Sequence, residues 1–100
     1  MDFEIDWTES ALQDFENAVL YVARHNESAA DQLRLDMLDS VETLTRFPFF
    51  GPVYERDRSG RTREIACRGY RIFYRVDQTH HRIQILVIQH GSRREPRLPR

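Results

Sequence analysis

A chain of 100 residues suits one domain with a single modest core. Apolar residues make up 40% and charged residues 31%, an ordinary globular composition, and a lone cysteine, Cys67, excludes an internal disulfide. The net charge of −1 hides an asymmetry: residues 1–50 carry 11 Asp and Glu against 3 Arg, whereas residues 51–100 carry 5 against 12. That division predicts an acidic helical surface and a basic surface of sheet and tail. Every basic residue is Arg. A planar fork suits carboxylate and phosphate, although a GC-rich coding bias would also remove Lys. Met1-Asp2-Phe3-Glu4 has neither the basic nor the apolar stretch of a secretory leader, and the longest apolar run, Ile85-Leu86-Val87-Ile88, is too short to span a bilayer. A cytoplasmic location with no membrane partner is therefore expected.

Phe3, Ile5 and Trp7 alternate with Asp2, Glu4 and Asp6, which predicts a strand with one buried and one acidic face. Thr8 is placed to cap a first helix, whose stripe is Leu12, Phe15, Val19 and Val22. That helix is expected to end at His25-Asn26, with Asn26 in the left-handed conformation. Ser28 is the predicted cap of a second helix with the stripe Ala30, Leu33, Met37, Val41 and Leu44, stopped by Pro48. A link this short makes an antiparallel helical hairpin. Residues 49–60 read as irregular, with turns at Gly51-Pro52 and Ser59-Gly60. Three strands follow: Thr62 to Cys67, Tyr70 to Val76 across an Arg68-Gly69 turn, and Ile83 to His90. The last is apolar on both faces, which predicts a central position. The order is β-α-α-β-β-β, an α+β fold with a helical hairpin on a small, mostly antiparallel sheet. Residues 1–91 form the expected domain and 92–100 a basic, flexible C-terminal tail.

Several segments resemble the RelE/ParE family of toxins from bacterial type II toxin–antitoxin systems. Trp7-Thr8-Glu9-Ser10-Ala11-Leu12-Gln13-Asp14 is similar to the family's strand-to-helix junction, and Phe47-Pro48-Phe49-Phe50-Gly51 to its link after the second helix. Arg63-Glu64-Ile65 with Tyr70-Arg71-Ile72-Phe73-Tyr74-Arg75-Val76 resembles its hairpin, and Ile85 to Arg93, with His90-Gly91-Ser92-Arg93, its last strand. The resemblance implies a cytoplasmic toxin, neutralised by a cognate antitoxin, that arrests growth and serves plasmid stabilization. RelE-like members cleave messenger RNA in the ribosome, whereas ParE-like members poison DNA gyrase, so one fold carries two functions. Of these the ParE-like reading, a gyrase inhibitor rather than an enzyme, is preferred. A pI near 6.4 suits poorly a protein that must bind the phosphate field of the ribosome. The alternatives are a ribosome-dependent mRNA endoribonuclease and a small non-toxic binding module.

RNA cleavage would need a base, a proton donor and cations around one phosphate. The resemblance places Arg71 where nuclease members hold phosphate and His90 near the end of the last strand, where they carry a His or Tyr; Glu55 or Glu64 could serve as a carboxylate base. In competition, Arg71 and Arg75 could simply neutralise Glu4 and Asp6 on the first strand, and His90 could be a structural strand-end residue. Target binding is expected at Arg71, Arg75, His90, Arg93, Arg94 and Arg97. Leu20 and Leu35 interrupt polar helical stripes and are expected to seat the antitoxin. No cofactor and no metal site is expected: His80 and His81 point apart, with no ligand at suitable spacing.

Overall fold

The computed structural model describes residues 2–92 and 95–99. Arg93 and Arg94, two of the expected target-binding residues, lie outside the described residues. The elements are β1 (Glu4–Trp7), α1 (Glu9–Ala23), α2 (Glu27–Arg46), β2 (Thr62–Cys67), β3 (Tyr70–Asp77) and β4 (Arg82–His90). They form the α+β fold expected: two helices on one face of a four-stranded sheet ordered β1-β4-β3-β2. β1 runs parallel to β4, and the other two pairings are antiparallel. β4, apolar on both faces, is central. Among the described residues no helix is long and apolar enough to cross a membrane.

Local chemistry explains most boundaries. The Thr8 side chain accepts from Ala11 N at 3.0 Å, capping α1. The same hydroxyl donates to Leu86 O at 3.0 Å, where β1 has left the sheet. Six residues later Asp14 Oδ2 accepts from Ile88 N at 3.0 Å. The start of α1 thus takes over from β1 as the hydrogen-bonding neighbour of β4. Arg68 and Gly69 both have positive φ, 48° and 84°, as a two-residue hairpin of this hand requires.

Several expectations need correction. The cap of α2 is Asn26, not Ser28: Asn26 is extended, and its Oδ1 accepts from Ala29 N at 3.0 Å. Its φ of −162° also shows that α1 does not end through a left-handed asparagine; α1 closes at a right-handed Arg24. Arg71 and Arg75 do not neutralise the acidic face of β1, because β1 lies beside β4 rather than β3. Arg82 does so, reaching Asp6 at 2.7 Å and Glu4 at 3.3 Å.

The main core lies between helices and sheet. Ala11 and Ala18 of α1, Leu33, Met37, Val41 and Leu44 of α2, and Ile72, Tyr74, Ile83, Ile85 and Ile88 of the sheet are buried there. Leu12, placed by its spacing on the apolar stripe, is instead exposed. The loop after α2 is pinned to this core at Gly51, whose N–H donates to the Tyr74 hydroxyl at 2.9 Å. A Cβ at Gly51 would stand 2.4 Å from Glu64 O, so only glycine fits.

Candidate functional site

Strand alternation sends Arg71, Phe73 and Arg75 of β3 to the face away from the helices, together with Thr62 and Glu64 of β2. In β4 the pairing slips: Phe73 faces Val87, but Tyr74 faces Ile85. Leu86 is the extra residue of a bulge, and Leu86 and Val87 both reach the outer face, where they bury with Tyr54 and Phe73. Tyr54 meets Phe73 edge-on, ring centroids 5.0 Å apart, and Leu98 of the C-terminal segment packs against the group.

Polar side chains border this cluster. Arg71 donates through Nε and Nη2 to Glu64 Oε2 at 3.1 and 2.7 Å. Its guanidinium lies over the Phe73 ring, 4.8 Å from the centroid, and 5.5 Å from that of Tyr54. Held by a carboxylate and two rings, it is fixed before any ligand arrives. Arg75 is buried. Its Nε donates to Thr62 Oγ1 at 3.1 Å, and its Nη2 to Asp57 Oδ2 at 3.3 Å and Pro99 O at 2.6 Å. Asp57 also accepts from the Thr62 hydroxyl and from Ser59 N at 3.1 Å. These bonds, that of Thr62 foremost, hold the Asp57 carboxyl far below the usual carboxylate range.

The bulge decides where His90 points. Without it His90 would share the outer face with Leu86; the slip pairs His90 with Tyr70, on the helix side of the sheet. His90 meets Tyr70 edge-on at 5.4 Å, and its Nδ1 lies 2.7 Å from Ser92 Oγ. It borders a groove of about 1140 Å³ between α1 and the end of β4, lined also by Asp14, Asn17, Tyr21, Tyr70 and Arg97. The structure therefore brings Glu64 and Arg71 together, places Arg75 nearby but inside, and sets His90 on the opposite face, at a groove that Arg97 also borders. Glu55 stands exposed in the loop before Asp57.

On the helical hairpin Leu20 and Leu35 are 61% and 60% exposed, and Leu12, Tyr21 and Leu38 are exposed as well. A second apolar surface was not foreseen. Phe47, Phe49, Phe50 and Val53 are all exposed on the loop fixed by Gly51. The Arg63 guanidinium sits 4.9 Å from the Phe49 ring centroid and donates to Gly51 O at 2.7 Å. Three phenylalanines in four positions after a helix stop, with no alternation that could bury them, were the available signal.

A family model described as the ParE toxin of the type II toxin–antitoxin system parDE matches residues 5–95. Among solved structures, the chromosomal ParDE system of P. aeruginosa is similar at 21% identity and a TM-score of 0.72, covering 90% of this chain and 97% of that one. The RelBE2 toxin–antitoxin complex of Mycobacterium tuberculosis is similar at 21% identity and 0.61, covering 90% and 99%. A mutant of the E. coli toxin RelE in the free state is similar at 14% and 0.64, covering 92% and 86%. No curated protein sequence matches the chain.

Proposed function

Because the chain belongs to the ParE toxin family of type II toxin–antitoxin systems, we propose that it inhibits DNA gyrase in the cytoplasm and is neutralised by a cognate antitoxin. The observation that carries this reading is the separation of Arg71 from His90 by the sheet. Cleavage at a 2′-hydroxyl needs a base, an acid and a cation around one phosphate. Arg71 and Glu64 face one side and bind each other, while His90 faces the other. Such a surface suits docking better than proton transfer. The net charge of −1 supports the same choice, since phosphate neutralisation supplies much of the affinity of ribosome-acting proteins. Antitoxin binding is assigned to the helical hairpin around Leu20 and Leu35, and target binding to the sheet and C-terminal arginines, including Arg71 and Arg97.

Induced without its antitoxin, the chain should arrest bacterial growth. The purified protein should block gyrase supercoiling and leave messenger RNA intact in a translating ribosome assay. Cuts in the message that vanish in His90→Ala and Arg71→Ala would replace this reading with the endoribonuclease one. Normal growth with soluble, folded protein present would point instead to a non-toxic binding module.

A further inference from the structure

The helices leave one face of the sheet uncovered, and two pieces of chain close it. Tyr54 comes from the loop before β2, and Leu98 from the C-terminal segment. Three contacts fix that segment within five residues. Glu95 pairs with Arg56 at 2.5 Å, Leu98 packs on the outer cluster, and Pro99 O accepts from Arg75 Nη2 at 2.6 Å. Between the last two anchors and the first, Arg97 stays exposed and borders the groove that holds His90.

Arg75 joins this segment to the interior by a hydrogen bond, beside the apolar contact of Leu98. A buried guanidinium is costly unless it is both paired and hydrogen-bonded. Here its partners include Thr62 on β2, Asp57 in the preceding loop, and Pro99. The Asp57 carboxylate balances the charge, and Asp57 is itself held by Thr62 and Ser59. The Pro99 carbonyl therefore meets a donor whose direction is set before the segment arrives. Pro96 and Pro99 further restrict the backbone, so ordering the segment costs less entropy than for a tail of ordinary residues.

We propose that Arg75 is a positioning residue: it clamps the C-terminal segment onto the outer face of the sheet, so that Arg97 meets the target along one fixed course. The role in target inhibition rests on the gyrase reading; the clamp itself does not. Arg75 acts through Pro99 and has no need to touch the target.

The test compares the full chain with Arg75→Gln, with Leu98→Ser, and with a chain lacking residues 95–100. Leu98→Ser leaves the Arg75 network in place and so covers the case in which Arg75→Gln folds poorly. Backbone ¹⁵N relaxation at Glu95, Arg97 and Leu98, the residues of that segment with an amide proton, reads its order, and a supercoiling assay reads gyrase inhibition. Both substitutions should lower the heteronuclear NOE of that segment alone. Both should weaken inhibition about tenfold or more, the worth of one well-placed charge-assisted contact, as the truncation does. Arg75→Lys, which keeps the charge on a single nitrogen but not the planar fork, should restore part of the order and part of the inhibition. A segment that stays ordered in Arg75→Gln overturns the clamp. A segment that is freed without loss of inhibition overturns the positioning role. A wild-type chain that leaves gyrase untouched overturns the gyrase reading and that role with it, while the relaxation comparison still decides the clamp.

Discussion

The two faces of the sheet are closed by different means. On the inner face two helices bury a continuous apolar layer, in which Met37, Leu44, Ile72, Ile83 and Ile85 are fully enclosed. The Tyr74 hydroxyl within that layer is satisfied by Gly51 N, and burial pushes its pKa up. On the outer face a small group of Tyr54, Phe73, Leu86 and Val87 is ringed by Arg71, Glu64, Arg75 and Asp57. Burial of apolar area is non-directional, so the inner face can supply most of the stability from many interchangeable contacts. Charge-assisted bonds are directional, so the outer face fixes where particular groups point. A protein that must recognise a partner gains more from the second kind of order.

Matched substitutions sharpen that contrast. Leu44→Ala on the inner face should cost about 2–5 kcal/mol, because a fully enclosed leucine leaves a cavity. Leu98→Ala on the outer face should cost roughly 1 kcal/mol, since Leu98 is only partly buried. Denaturant unfolding of the two variants measures both. Equal losses would mean that the outer cluster bears as much of the fold as the inner one.

The outer network should also show itself in acid. Asp57 has a depressed carboxyl in the folded chain, mainly through the Thr62 hydroxyl and Ser59 N. A depressed carboxyl favours the fold wherever the unfolded carboxyl is ionised, that is above about pH 4. The contribution is lost as pH falls from there toward the lower folded value. The advantage of wild type over Asp57→Asn should therefore hold from pH 7 to about 5 and shrink steadily toward pH 2. Asp36 and Asp77 are lowered too, by Arg68 and His80 respectively, but both variants keep them, so the difference isolates Asp57. Melting temperatures across that range decide the matter, and a gap that never narrows would show that Asp57 is not an ionic anchor.

Much of this architecture was legible in the sequence, for definite reasons. β2 runs from Thr62 to Cys67 as expected, because Arg68-Gly69 marks its end in the chain itself. β4 is central, as its two apolar faces implied. What escaped depends on partners distant in sequence. Glu4 and Asp6 could have met any arginine on a neighbouring strand, and only the sheet order brings Arg82 to them. The bulge at Leu86 lies within an uninterrupted apolar run, with no polar residue to mark the slip, so simple alternation misplaces everything after it. His90 is the consequence: its residue type and position at the strand end were visible, its face was not. The role of Arg75 was hidden for a related reason, since its partners Asp57 and Pro99 stand 18 and 24 residues away in the chain.

The smallest expected change in stability concerns leucines that belong to neither face. Leu20 and Leu35 lie on the solvent side of the helical hairpin, 61% and 60% exposed, so little of either is removed from water on folding. Changing both to Asp should alter stability by no more than about 0.5 kcal/mol per site, the usual range for exposed positions. Their proposed purpose is to seat an apolar stretch of the antitoxin, alongside exposed Tyr21 and Leu38. The surrounding helices are already acidic, with Glu16, Asp31 and Asp39 exposed. Two further aspartates would therefore remove apolar contact without introducing an unfamiliar kind of charge. Affinity for the antitoxin should fall by about tenfold or more in a calorimetric titration, the cost of leaving two leucine-sized contacts unmade. Gyrase inhibition by the free toxin should be unchanged, because the proposed target surface lies on the sheet and C-terminal segment. Loss of inhibition with antitoxin affinity intact would reverse the two assignments, making the helical hairpin the target surface.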